Sequence, residues 1–430
     1  MRRLMPTIAA AVLLAVSANA QESKTAFFLD NCLYAWNVNP GTRVEGEPYR
    51  FFSIGLGNGS ASLLASFYAP TINLGAVPSM FSSWSAFNLG LAQLGDLVNF
   101  GIDNRFLAGT SAQIFSFGRQ WEDSRYSVSL NSRSDTRLNA SFNFIRDFVL
   151  DLNGDLSNLS GTIGVDNVGF RSVHYLELCG SYTRNLGDIA SVGGNVKLLL
   201  GYFGMGLDIN TMRVGVFPDG GFGADLNAGM FFSSSVLTVP STWKDGREVY
   251  DFSSARLGGL GFSGIGTAVD FGLNVQPASG LTLGLSVLDF GLMYWGGGFD
   301  ARLDYSGRAV ESKNEIFALE PGGRGSRFKM LNYDIHLSAQ YRMPFYDGWS
   351  VGMLGTYQPY FREVRLGTAV TPVKYISLAL STAFNNFGIN VGTALNVRLP
   401  GLSLYLATDS LNFSRRMTNV TAGLAIAFPG

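Results

Sequence analysis

Thirteen consecutive residues constrain this chain more than any other stretch of it. From 331 to 343, Leu331, Tyr333, Ile335, Leu337, Ala339, Tyr341 and Met343 alternate without error with Asn332, Asp334, His336, Ser338, Gln340 and Arg342. A period of two sustained that long describes a β-strand with one apolar and one polar face. The pattern recurs at 265–276, 387–399 and 419–428, with glycine and asparagine prominent on the side opposite the large apolar residues. Such strands are longer than the roughly 5 to 6 residues usual in globular sheets. They fit the roughly 9 to 11 that a tilted strand needs to cross a bilayer.

Composition narrows the choice further. Among 430 residues only 15% are charged, 13% are aromatic and 53 are glycine. Mean hydropathy is +0.17, yet after residue 20 no stretch stays apolar for the roughly 18 residues that a membrane helix requires. Several soluble domains and a bundle of membrane helices are both poor fits. Basic and acidic residues, 31 and 32, nearly cancel, so no nucleic-acid partner is implied. The expected fold is an all-β transmembrane antiparallel barrel, apolar toward lipid and polar toward the lumen. It must close on itself, because hydrocarbon cannot satisfy an open sheet edge.

Residues 1–20 read as an export signal, with Arg2 and Arg3, an apolar core from Ile8 to Val16, and the small-residue cleavage site Ala18-Asn19-Ala20. The barrel is expected over 49–430. Fourteen strands are read at 49–58, 126–131, 137–145, 172–184, 190–203, 265–276, 281–290, 330–343, 349–358, 363–370, 375–384, 388–399, 402–409 and 418–428. The stretch 59–125 is partly unassigned. It holds strand-like pieces at 60–68 and 113–118 and a helix-like piece at 89–100, and two further crossings there would make sixteen strands. With the C-terminus in the periplasm, the short connections 132–136, 185–189, 277–280, 344–348, 371–374 and 400–401 share the inner side. The long ones, 146–171, 204–264 and 291–329, share the outer side. That asymmetry is the pattern of a Gram-negative outer-membrane barrel. Trp349 and Tyr375 on the inner side, and Tyr294, Trp295, Tyr357, Tyr360 and Phe361 on the outer, are read as interfacial girdles or as loop-packing residues.

No catalytic or metal constellation emerges, so neither an enzyme nor a cofactor is expected. His174 and His336 are the two histidines, and neither has a partner at ligand spacing; His336 reads as a solvated lumen residue. Asp151-Leu-Asn-Gly-Asp155-Leu-Ser157 echoes a calcium loop but carries Leu156 where glycine is needed and Thr162 where a bidentate glutamate belongs. The runs Gly258-Gly259, Gly296 to Gly298 and Gly322-Gly323 lack the strand-to-helix setting of a phosphate loop. Cys32 and Cys179 either pair or act as small apolar fillers. Strand parity places Asp270, Asn274, Asp334, His336, Arg342, Asn390, Asn396 and Arg398 on the lumen face, a lining with charges of both signs.

The segment Phe28-Leu-Asp-Asn-Cys-Leu-Tyr-Ala-Trp-Asn-Val-Asn-Pro40 resembles the opening of a Bacteroidota family of outer-membrane barrels of uncharacterised function. Asp270-Phe-Gly272, Val287-Leu-Asp-Phe-Gly291 with Trp295, and Leu402 to Ser410 with the final strand are similar to its central and closing strands. The family is related to the fatty-acid transporter FadL and to PorV-like barrels. The resemblance implies fourteen strands and an N-terminal plug, here 21–48, entering the lumen with Asn37, Asn39 and Pro40. It also implies a channel or binding protein for hydrophobic small molecules, or alternatively a PorV-like barrel that docks secreted or surface proteins without transport. Outer-membrane lipids are partners in either case.

Overall fold

The computed structural model describes residues 23–29, 32, 35–45, 48–54, 58–66, 104–140, 162–216, 222–244, 247–250, 256–259, 261–308, 324–359, 361–385, 388–411 and 417–429. The stretch 1–20 read as an export signal, Tyr360, the helix-like piece at 89–100 and the calcium-like stretch Asp151–Ser157 lie outside them.

Fourteen antiparallel strands close into one barrel. The first has two pieces, Tyr49–Ile54 and Asn58–Ser66. Then come Asn104–Gln120, Ser124–Ala140, Thr162–Leu186, Ala190–Val216, Gly264–Ala278 and Leu281–Arg308. The eighth again has two pieces, Arg324–Met330 and Asp334–Arg342. The circuit ends with Trp349–Gln358, Phe361–Val373, Ile376–Asn385, Gly388–Leu399, Leu402–Thr408 and Met417–Pro429. Closure is made by the first strand, whose Tyr49 lies opposite both Pro429 and Gln120. Among the described residues no helix is long and apolar enough to cross a membrane.

The burial pattern is the reverse of a soluble protein's. Along Gly264–Ala278, Ile265, Val269 and Phe271 are about half exposed, while Ala268, Asp270 and Asn274 are buried. Val196, Leu198, Leu337, Val364, Leu380, Phe384, Val420 and Leu424 are likewise exposed. Polar side chains turn inward and apolar ones outward, as lipid on one side and a filled lumen on the other require.

Three strands overshoot the bilayer. Thr162–Leu186, Ala190–Val216 and Leu281–Arg308 run for 25, 27 and 28 residues. At roughly 3.4 Å per residue they exceed the ~25 Å apolar band even when tilted. Along Ala190–Val216 the exposed residues change from Val196 and Leu198 to Asp208, Asn210 and Arg213, which marks where the wall leaves hydrocarbon. Above Gly264 an additional strand, Phe222–Ser234, takes the place between Ala190–Val216 and Leu281–Arg308, so the projecting wall is continuous.

Several expectations need correcting. The stretches 126–131 and 137–145 belong to one strand, Ser124–Ala140, and the supposed turn 132–136 is paired on both sides. Its polar residues look like a turn because Arg133 and its neighbours line the lumen. The fourteenth strand is instead Asn104–Gln120, within the stretch left unassigned. The supposed loops 204–264 and 291–329 are largely strand. Trp295 and Phe361 are fully buried and face inward, whereas Trp349, Tyr357 and Tyr375 are exposed on the outer wall. His336 is buried, not solvated. Cys32 and Cys179 form no disulfide and are buried, one in the N-terminal segment and one on the lumen face.

The facing of each side chain gives a direct test. Val196→Arg places a charge on the lipid side and is expected to lower the unfolding free energy in vesicles by about 2 to 4 kcal/mol near mid-bilayer. Ser127→Arg, on the lumen side, is expected to cost far less; equal losses in urea titrations would refute the assigned faces.

Candidate functional site

The N-terminal segment touches strands all the way round the barrel, which only a segment inside the lumen can do. Its upstream end is held by Asp409, just past Leu402–Thr408. That carboxylate accepts from the Ser23 hydroxyl (3.0 Å), the Lys24 and Thr25 amides (2.8 Å each) and the Thr25 hydroxyl (2.5 Å). Two of these donors are orphan amides at the start of the 3-10 turn Lys24–Phe28. Arg365 reinforces the anchor. It donates to Thr25 Oγ1 at 3.0 Å, lies 3.2 Å from Asp409, and makes a two-pronged pair with Glu363 at 2.9 and 3.1 Å.

The middle of the segment seats on glycines. A Cβ at Gly367 would collide with the Phe28 ring and one at Gly392 with Thr25 Oγ1; at Gly272 and Gly193 it would strike Asn39 and the Pro40 carbonyl. The downstream end is a turn encoded locally. The Thr42 amide donates to the Asn39 carbonyl at 3.0 Å with Pro40 at the second position, and Asn39 Oδ1 accepts from the Gly41 amide at 2.8 Å. Asparagine and proline suit those two places. The turn is then fixed to the wall by Asn39 to Asn274 (2.8 Å), Thr183 to the Pro40 carbonyl (2.7 Å), Ser191 to the Gly41 carbonyl (2.6 Å) and Ser286 to the Val38 carbonyl (2.7 Å). Asn185 makes a reciprocal pair with the Val44 backbone at 3.0 and 2.8 Å. Asn37 lies in the short turn Ala35–Asn37, where the neighbouring Trp36 ring stacks 3.8 Å from the Arg125 guanidinium.

Above this turn lies a buried ionic cluster. Lys197 bridges Asp270 (2.7 Å) and Asp289 (2.6 Å), and Arg133 bridges Glu177 (2.8 Å) and Asp289 (3.0 Å). Asp289 sits at a register shift in the sheet with φ of +56°, and its amide donates to Asp270 at 2.7 Å. Two cations thus pair with three carboxylates, and the cluster pins the bulge that aims Asp289 inward. Farther out, Tyr175, Leu199, Phe231, Met293, Trp295 and Leu331 form an apolar layer on neighbouring strands. Trp295 lies flat against Gly201, Gly204 and Gly264.

A polar cavity of about 140 Å³ remains between the segment, the ionic cluster and the serine-lined strands Asn104–Gln120 and Ser124–Ala140. Lys24 reaches its edge, 4.2 Å from the Phe361 ring centroid and 4.0 Å from Glu363. Burial pushes the Lys24 ammonium below its ordinary pKa, opposed by Glu363. Among the described residues no group of histidine, cysteine and carboxylate side chains is placed to hold a metal.

The lumen residues read from parity fall at different heights. Asp270 joins the ionic cluster and Asn274 holds Asn39. Asp334 accepts from Gln358 at 2.7 Å, and His336 Nδ1 lies 3.0 Å from Thr356 Oγ1. Asn390 and Asn396 are buried, Arg342 lines the mouth at the short-turn end of the barrel, and Arg398 stacks 5.2 Å from the Tyr49 ring. Sequence reasoning missed Asp409, Arg365, Glu177, Lys197 and Asp289. Lys197 left a signal, the one charge in the stretch 190–203, set between Val196 and Leu198. Asp289 left none, since the bulge breaks parity just there.

These features define a transmembrane β-barrel whose lumen is occupied by its own N-terminal segment. The model of a family of unknown function (DUF5723) matches residues 85–409, and the chain belongs to that family. Among curated proteins none matches the chain. Solved structures similar to it include the toluene transporter TbuX of Ralstonia pickettii, at 10% identity and a TM-score of 0.44 over 95% of this chain and 98% of that one. The toluene transporter TodX of Pseudomonas putida gives 10% identity and 0.43 over 96% of each chain. A FadL homologue of Pseudomonas aeruginosa gives 11% and 0.46 over 96% of this chain and 100% of that one.

Two substitutions probe the lumen. Asp409→Ala removes the acceptor for four donors and is expected to free residues 23–28, seen as a rise in single-barrel conductance in planar bilayers. Lys197→Met leaves Asp270 and Asp289 facing each other without their shared cation and is expected to lower the unfolding free energy by about 3 to 5 kcal/mol in urea titrations.

Proposed function

We propose that the protein is an outer-membrane barrel that binds or passes a hydrophobic small molecule, with the segment 23–45 as its closure. The observation that carries this reading is the attachment of that segment from Asp409 at one end to Asn185 at the other. A wide pore for polar solutes would not fill its lumen so. The apolar layer around Trp295, Met293, Tyr175 and Phe231 supplies contact surface for the ligand. The ionic cluster beneath it offers an apolar molecule nothing, so the ligand leaves sideways from the apolar layer or after the segment has moved. Asn37, Asn39 and Pro40 act here as plug residues, and the lumen-facing polar residues hold them in place.

Deleting residues 27–40 is expected to raise permeability or shorten ligand retention in reconstituted vesicles, using a monoaromatic hydrocarbon and a long-chain fatty acid as probes. Unchanged uptake and binding by a variant that still migrates as a folded barrel would sink the proposal.

A second reading is favoured by the projecting wall, whose exposed Asp208, Asn210, Arg213, Asn227 and Arg302 stand beyond the apolar band. Such a surface suits docking of a secreted or surface protein. Crosslinking through that wall in intact cells should then recover a protein partner, and recovery of lipids alone would count against it.

A further inference from the structure

The N-terminal segment does not fill the lumen evenly. Its glycine seats lie on strands from Ala190–Val216 round to Gly388–Leu399, whereas Ser124–Ala140 and Thr162–Leu186 turn mostly short polar side chains toward a corridor beside it. Along the first of these strands every second residue lines that corridor, from Arg125 through Ser127, Ser129 and Asn131 to Arg133. Register sets Thr183 beside Arg125, Ser181 beside Ser127, Cys179 beside Ser129 and Glu177 beside Asn131, all on the same course. At roughly 3.4 Å per residue the lining runs ~27 Å along the wall, so even on tilted strands it crosses most of the ~25 Å apolar band.

Three polar cavities succeed one another on this line. The central one is the cavity of about 140 Å³ described above. Toward the projecting wall it gives way to one of about 30 Å³ under Arg171, whose bond to the Met330 carbonyl is solvent-exposed. Toward the short turns lies the mouth, of about 650 Å³. Among the described residues, Arg133 and Asp289 alone border both the central and the small cavity, and Trp36 alone borders both the central cavity and the mouth. Those three side chains are the partitions. Two buried polar atoms find no hydrogen-bond partner among the described residues, Lys24 Nζ on the central cavity and Ser134 Oγ on the small one. Buried groups of that kind call for water, and even the smallest cavity has room for a molecule of it.

We propose that the barrel carries, beside its N-terminal segment, a separate narrow path for water and small inorganic ions, shut by Arg133 on Asp289 toward the projecting wall and by Trp36 on Arg125 toward the mouth. The ionic cluster is suited to gating. Lys197 holds Asp289 as well as Arg133 does, and Glu177 holds Arg133 as well as Asp289 does. Arg133 can therefore release Asp289 and stay on Glu177 with no charge left unpaired, which avoids the cost of an isolated buried ion. The mouth partition is lighter, a ring whose centroid is 3.8 Å from the Arg125 guanidinium and whose Nε1 donates to the Thr42 carbonyl at 3.0 Å. Cationic and carboxylate side chains line the central cavity in equal number, so the path sorts ions by size more than by sign. A hydrophobic molecule gains nothing from such a lining, and the path is independent of the route proposed for one.

The test is the conductance of the full barrel in planar bilayers bathed in potassium chloride, with heat-modifiable migration reporting folding. Asp289→Asn suits the first partition, since asparagine tolerates the φ of +56° and leaves Arg133 on Glu177 and Lys197 on Asp270. Trp36→Ala opens the second, and Trp36→Leu takes its place if the alanine variant does not fold. Because the partitions act in series, each variant alone is expected to leave the current near the wild-type level. The double variant is expected to raise it about tenfold or more, the scale of one lost charged hydrogen bond. With one carboxylate fewer, it is also expected to shift the reversal potential in a salt gradient toward chloride. Ser129→Trp, in the corridor, is expected to return the double variant to the wild-type current. A double variant that conducts no better than wild type overturns the proposal, and so does a raised current that Ser129→Trp leaves unchanged, since the segment itself has then moved. Independently of conductance, a small charged thiol reagent is expected to modify Cys179 several-fold faster in folded Trp36→Leu than in wild type, and equal rates overturn the continuity of mouth and corridor.

Discussion

Hydrocarbon offers no hydrogen-bond partner to a peptide group, and the rest of this structure follows from that. A strand exposed to lipid must find both neighbours, so the sheet has to close, and here the two-piece first strand closes it by pairing with Met417–Pro429 and Asn104–Gln120. Once closed, the pleat divides every strand between two media. Apolar residues such as Val196 and Phe271 face lipid at no cost, and whatever is polar must face inward. The interior then has to satisfy those inward groups, because a dry polar lumen is as costly as a dry open edge.

The chain meets that demand with its own N-terminal segment and with internal ion pairs. Serines and asparagines on the wall donate to the Val38, Pro40 and Gly41 carbonyls, and Asp409 collects the amides at the segment's other end. Glycine has two distinct tasks in this arrangement. At Gly193, Gly272, Gly367 and Gly392 its missing side chain is space that the segment occupies, and at Gly201 and Gly264 it is space for Trp295. At these six positions glycine serves the lumen. The ionic cluster works by the same logic, since Lys197 and Arg133 share Asp289 and neither cation is left unpaired in the interior.

Much of the wall was legible in the alternation. Gly264–Ala278, Gly388–Leu399 and the strand around Ile335 appear with the facing that parity assigned, because lipid enforces a period of two over their whole length. The errors share one cause. At Ser132–Thr136 a run of polar residues reads as a turn, yet it is a strand whose polarity serves lumen contacts, Arg133 among them. Trp295 reads as an interfacial aromatic, but its position on the inner face is set by glycines on strands far away in sequence. Asp409 reads as no more than the last residue of the strand 402–409 because its partners, Ser23 to Thr25, lie nearly four hundred positions upstream.

By itself the sequence determined that this chain crosses a membrane as a closed β-barrel and, along its long alternating strands such as Gly264–Ala278 and Gly388–Leu399, which side chains face lipid. Those properties depend on residues two apart on one strand and on a uniform medium outside, so local pattern suffices. Tertiary structure alone decided what fills the lumen: the grip of Asp409 on the N-terminal segment, the seats at Gly193 and Gly272, and the meeting of Arg133, Glu177, Lys197, Asp270 and Asp289 at one level. Those contacts join strands on different sides of the circle. Their register is set by how the whole sheet tilts and closes, and one bulge at Asp289 is enough to move a charge from one face to the other.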